Sequence, residues 1–186
     1  MERELDIVTE WLLCASSQVG GEYFQLPVAG KEEPEYRERV YCYELYHLWR
    51  CHWPKGFRFS LCGEVDKQGH PLVRGEPKPD YLVHIPGEMS NLLVVEVKPK
   101  NAAPARMADD LKKLTTFRRD LPPQHDLSGN YFAAYFWLYG MSVEEWREFR
   151  VQVIRAAGDT RQFDSRLVSC FVHEQVGTRA VPVAWS

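Results

Sequence analysis

The nine residues Tyr131-Phe132-Ala133-Ala134-Tyr135-Phe136-Trp137-Leu138-Tyr139 contain no charged side chain and no break in apolar character. Side chains of a strand alternate between two faces, so as a strand this run is apolar on both. Only a central strand covered on both sides buries such a segment, which predicts an α/β fold with helices on either face of a sheet.

The remaining periodicity supplies those helices. Residues 3–19 repeat apolar side chains at Leu5, Val8, Trp11, Leu12, Ala15 and Val19 and stop at Gly20-Gly21. Residues 35–51 read as a second, aromatic-rich helix closed by Pro54 and Gly56, and residues 105–119 as a third with Met107, Leu111, Leu114 and Phe117 on one side. Ser142 with Glu145 three residues later forms a capping box, and Val143, Trp146, Phe149 and Val153 continue it as a buried stripe. From Phe57 the period is two, which predicts a strand running to a turn at Asp66-Lys67-Gln68-Gly69. Residues 79–85 and 92–98 add two strands, expected to make an antiparallel meander with the first, and short strands near 166–173 and 179–185 close the chain as a hairpin.

A chain of 186 residues with 45% hydrophobic and 26% charged residues is expected to fold as one domain with its own core. No apolar run approaches the roughly 20 residues of a membrane span, and Met1-Glu2-Arg3-Glu4 does not open like a signal peptide, so a cytoplasmic location and no membrane partner are expected. The cysteines Cys14, Cys42, Cys51, Cys62 and Cys170 are odd in number and irregularly spaced, which favours reduced thiols. Cys42, His47, Cys51 and His52 do not converge on a tetrahedral point if carried on one helix, so zinc is not expected there.

Net charge is −3, but it is unevenly distributed. Residues 1–50 hold five Lys/Arg against ten Asp/Glu, whereas residues 98–119 hold seven Lys/Arg against two Asp. The basic stretch directly follows the one cluster with evident chemistry. Glu96 and Lys98 project from one face of their strand while Val95 and Val97 fill the other. With the connection centred on Glu88, the antiparallel register sets Asp80 opposite Glu96, and paired positions have Cβ atoms about 4.5–5.5 Å apart. Two carboxylates at that separation repel one another unless a cation lies between them, and a hard ion such as Mg²⁺ suits oxygen donors. Lys98 beside it is placed to position a water and to stabilise charge developing on a phosphoryl group.

Pro79-Asp80 followed after fifteen residues by Glu96-Val97-Lys98 resembles the signature of the PD-(D/E)XK nuclease superfamily, and the order helix, three strands, helix, strand from residue 35 to 139 is similar to that family's restriction-endonuclease-like core. The resemblance implies an αβββαβ core with a mixed central sheet, here with an extra N-terminal helix and a C-terminal helix plus hairpin. It implies a phosphodiesterase using Mg²⁺ or Mn²⁺, with Asp80, Glu96 and the Val97 carbonyl as metal ligands and Lys98 as catalytic lysine. It also implies a nucleic-acid partner, DNA rather than RNA, met by Arg106, Lys112, Lys113, Arg118 and Arg119. Such nucleases often pair two sites, so a homodimer or a targeting partner is a further expectation. Family members often add a carboxylate from the helix before the sheet. Glu44, with Val40, Tyr41, His47 and Leu48 around it, is the expected residue in preference to the more solvated Glu38, and Glu64 or Asp66 is the alternative. The helix after Lys98 reads Asp110-Leu111-Lys112-Lys113-Leu114, without the Gln-x-x-x-Tyr of some branches. The competing expectation is a catalytically silent member of the fold, acting as a nucleic-acid-binding or assembly module.

Overall fold

The computed structural model describes residues 1–63, 78–88, 90–119, 131–158 and 162–185. In chain order they form α1 (Glu2–Ser16), α2 (Gly21–Phe24), α3 (Glu38–Cys51), β1 (Ser60–Gly63), β2 (Tyr81–His84), β3 (Asn91–Pro99), α4 (Pro104–Arg118), β4 (Ala133–Tyr139), α5 (Val143–Ala157), β5 (Ser169–His173) and β6 (Val181–Val183). The six strands make one mixed sheet in the order β1-β2-β3-β4-β5-β6. Strands β1, β2 and β3 run antiparallel as a meander, β4 and β5 run parallel to β3, and β6 returns antiparallel to β5.

The doubly apolar strand explains the layering. Tyr135, Trp137 and Tyr139 of β4 enter one core with Val8 and Leu12 of α1 and Tyr41, Leu45 and Trp49 of α3. Ala134, Phe136 and Leu138 enter a second core with Met107, Leu111 and Leu114 of α4 and Trp146 and Val153 of α5. Each large apolar side chain buried this way contributes about 1.5–3 kcal/mol, so β4 stabilises both layers at once. In the first core Trp137 Nε1 donates to the Tyr41 hydroxyl at 2.9 Å, and that hydroxyl meets His173 Nδ1 at 2.7 Å. An indole nitrogen can only donate, so the Tyr41 hydroxyl accepts from Trp137 and keeps its own proton available for His173 Nδ1. After β4 the chain reverses at Gly140 (φ 79°), where a Cβ would lie 2.3 Å from the Tyr36 ring. Ser142 then caps α5 through the reciprocal bonds with Glu145.

Several boundaries differ from the sequence expectation. The second helix starts at Glu38 rather than at residue 35, because Glu35 exchanges both backbone hydrogen bonds with Leu26 in an isolated bridge and is held extended. The first strand begins at Ser60; Phe57 instead joins an aromatic cluster with Trp11 and Trp53, and Phe59 is buried beside it. Glu64, Asp66 and the turn expected at 66–69 lie outside the described residues. The one-turn helix α2 has no counterpart in the sequence reading; it delivers Phe24 onto the rings of Tyr41, Tyr139 and His173. All five cysteines are free, and among the described residues no helix is long and apolar enough to cross a membrane.

Candidate functional site

The site forms where β2 begins and β3 ends. Tyr81 pairs with Val95 and Leu82 with Val94, so continuing the register by one residue sets Asp80 opposite Glu96. A register shift between Val83 and His84 absorbs the irregular connection without disturbing that end of the ladder. Asp80 is fixed by the Val97 backbone N–H, which donates to its Oδ2 at 2.7 Å. Burial raises the Asp80 carboxyl to about 6, against the opposing pull of the Lys98 charge and the Val97 hydrogen bond.

Glu96 is only 3% exposed, and its Oε1 is fully shielded without a hydrogen-bond partner. Burial first, then the charges of Asp80 and Asp110, push its carboxyl well above the ordinary range. A shielded carboxyl oxygen with nothing to bond is costly in a folded protein and calls for a specific reason.

Lys98 is 8% exposed. Its ammonium donates to the Val97 carbonyl at 2.9 Å and pairs with Glu38 Oε2 at 3.1 Å and Asp110 Oδ2 at 3.2 Å. Burial works against the charge on Lys98, but Asp110, Asp80, Glu38 and Glu96 together outweigh it and hold its pKa above the usual lysine range. The side chain therefore stays an ammonium across physiological pH. Asp110 is 5% exposed, and its other oxygen accepts from Lys113 Nζ at 2.5 Å, so one carboxylate bridges two lysines.

Two acids of this cluster escape a sequence reading that favours Glu44. The α3 carboxylate that reaches Lys98 is Glu38, on the first turn. Glu44 is half-buried and lies six residues further along, which at about 100° per residue turns it to a different side of the helix. Glu38 precedes the buried Tyr41 and Cys42 by three and four residues, a spacing that already places it on the inward face. Asp110 carries a clearer signal, being three residues after Met107 and four before Leu114 on the apolar stripe of α4. An acid within such a stripe has to find a cation, and here it finds two.

The basic residues of the α4 segment divide by role. Arg106, Lys113 and Arg119 are exposed, and Lys112 is half-buried and pairs with Asp109 at 3.6 Å. Arg118 departs from the expected nucleic-acid contact: its Nη1 donates to the carbonyls of Tyr131, at 2.8 Å, and Phe132, and its Nε to that of Leu167 at 3.2 Å. It ties the end of α4 to the entry of β4 and to the segment before β5.

Among the described residues no group of three or more His, Cys, Asp and Glu side chains is disposed to hold a metal ion. The donors across β2 and β3 are the Asp80 and Glu96 carboxylates and the Val97 carbonyl, all hard oxygens. Mg²⁺ is commonly held by one or two carboxylates with waters and substrate phosphate completing its shell, so this pair fits it, and Glu96 Oε1 is the donor without another partner. No protein-family model, curated protein or solved structure matches the chain.

Proposed function

We propose that the chain is a metal-dependent nuclease that hydrolyses phosphodiester bonds, in DNA rather than RNA, on a restriction-endonuclease-like core. The observation that carries this reading is the unpartnered Oε1 of buried Glu96, facing Asp80 across the ladder with the Lys98 ammonium beside it. The antiparallel meander β1-β2-β3, the helix α4 and the parallel return of β4 support the core assignment.

Asp80 and Glu96 would hold Mg²⁺ or Mn²⁺, with the Val97 carbonyl as a further donor. Bound there, the ion would supply a water of lowered pKa and neutralise part of the phosphate charge. The residues do the rest. Lys98 is held as an ammonium by its carboxylate neighbours, with its three protons directed at the Val97 carbonyl, Glu38 and Asp110. Exchanging the more exposed Glu38 for a water or a phosphoryl oxygen would let it orient the one and stabilise charge developing on the other. Asp110 holds Lys98 and Lys113 together, which would keep two cations near the phosphate. Arg106, Lys112, Lys113 and Arg119 supply further charge for the nucleic-acid backbone.

The test is cleavage of single-stranded, duplex and branched DNA and RNA with and without Mg²⁺ or Mn²⁺. Metal-dependent cleavage that is lost in a folded Asp80→Ala chain is the expected result. Cleavage at the wild-type rate by Asp80→Ala and Lys98→Ala would sink the mechanism. A second reading, a catalytically silent binding or assembly module, draws on the double engagement of Lys98 by Glu38 and Asp110. It predicts nucleic-acid binding with no cleavage of any substrate in the panel.

A further inference from the structure

A cavity of about 330 Å³ opens between α3 and the β1–β2 edge, lined by Cys42, Tyr43, Tyr46, Gly63, Asp80 and Tyr81. That volume falls at the lower end of the ~300–1,000 Å³ range of small-ligand sites. Two of its three tyrosine rings are fixed. The Tyr81 hydroxyl donates to the Cys42 carbonyl at 2.7 Å, the Tyr46 hydroxyl to the Leu61 carbonyl at 3.3 Å, and the two rings stack with centroids 6.3 Å apart and planes 21° from parallel. The third ring, Tyr43, is 58% exposed, on the solvent side of α3, and so is open to a ligand. Gly63 leaves the β1 wall low, since a Cβ there would come to 3.4 Å from the Tyr46 ring.

The sixth lining residue connects this cavity to the candidate catalytic centre. Asp80, the residue leading into β2 and the candidate metal ligand opposite Glu96, lines the cavity as well. A nucleotide strand whose phosphate is held at Asp80 would have the tyrosine-lined recess bordering that same residue. Every base has a π-face, and stacking on aromatic side chains is a sequence-tolerant way to hold an unpaired one. A base within a duplex has to leave its stack to enter such a recess.

We propose that the Tyr43–Tyr46–Tyr81 cavity receives one unpaired nucleobase next to the phosphate bound at Asp80, which makes single-stranded or frayed DNA the favoured substrate class. The proposal rests on the nuclease reading and gives it a substrate preference.

It is tested with the full chain carrying Lys98→Ala, in Mg²⁺, by fluorescence anisotropy with a labelled single-stranded oligothymidylate and with its fully paired duplex. The expected result is tighter binding of the single strand. Adding Tyr43→Ala should weaken that binding roughly 5- to 150-fold, the equivalent of about 1–3 kcal/mol of stacking, and leave duplex binding unchanged. Tyr43→Trp should retain the single-strand affinity, since it keeps an aromatic face. Equal binding of both oligonucleotides with no effect of Tyr43→Ala overturns the cavity proposal and leaves the nuclease reading standing. Binding of neither oligonucleotide, by this chain or by wild type, overturns both. Concentration-dependent self-association that Tyr43→Ala abolishes would make the recess an interface between two copies, and that also overturns the proposal.

Discussion

Replacing Asp110 with Asn removes one charge and almost no volume from the centre of the lysine–carboxylate cluster. Lys98 then keeps the Val97 carbonyl and Glu38, but Glu38 is far more exposed than Asp110 and its pull on the ammonium is screened. Breaking a buried ion pair from one side costs about 3–5 kcal/mol when the remaining charge has no other partner. Here the Asn oxygen still accepts a hydrogen bond and the repulsion of Glu96 by Asp110 disappears, so both effects reduce the loss. The lost pairing is the larger effect, because Lys98 and Lys113 both depend on this carboxylate. The expected net destabilisation is about 1–3 kcal/mol, a fall in Tm of roughly 2–12 °C for a chain of this size. Urea unfolding of wild type, Asp110→Asn, Lys98→Met and the double variant gives the coupling directly. A coupling below about 0.5 kcal/mol, with Asp110→Asn as stable as wild type, would refute the claim that Asp110 holds Lys98.

The first core makes two further predictions. Tyr41→Phe leaves Trp137 Nε1 without an acceptor and His173 Nδ1 without a donor, both fully buried, and should cost about 2–6 kcal/mol in urea unfolding; a loss under about 0.5 kcal/mol would contradict the hydrogen-bond chain. Burial lowers His173 to about 4, with the backbone at Thr178 and Gln175 opposing part of the shift. Its neutral form then contributes stability that is fully present above pH 6.5 and is lost as the pH falls towards 4, at most roughly 3 kcal/mol. Its imidazole resonances should still be those of the neutral ring at pH 5.5, and a midpoint near 6.5 would show the ring to be solvated.

Most of the architecture is legible in the sequence because it follows from local rules. The unbroken apolar run 131–139 could only be covered on both faces, and it feeds two cores. The Ser142–Glu145 box marks the start of α5 because its two hydrogen bonds are both local. The Asp80–Glu96 register follows from strand alternation and loop length. What fails is information that no local pattern carries. Glu35 was drawn out of α3 by a bridge to Leu26, nine residues earlier. Arg118 reads as one more basic residue until the carbonyls of Tyr131 and Leu167 are brought against it by the tertiary fold. Glu44 has the more apolar neighbours along α3, but the acid that meets Lys98 is Glu38, a contact set by how α3 lies against the end of β3. Asp110 shows the reverse: its place on an apolar stripe was visible, but only the fold reveals the two ammonium groups that justify it.

Whether Asp80 and Glu96 form a cation site is decided most directly by an equilibrium Mn²⁺ titration of the chain near neutral pH, read by calorimetry and compared with folded Asp80→Ala and Glu96→Gln variants. Wild type is expected to bind Mn²⁺ at a site that weakens at least tenfold when either carboxylate is removed, about 1.4 kcal/mol or more of binding free energy. Wild type binding Mn²⁺ no better than Glu96→Gln would contradict it, leaving the shielded Glu96 oxygen without the role assigned to it.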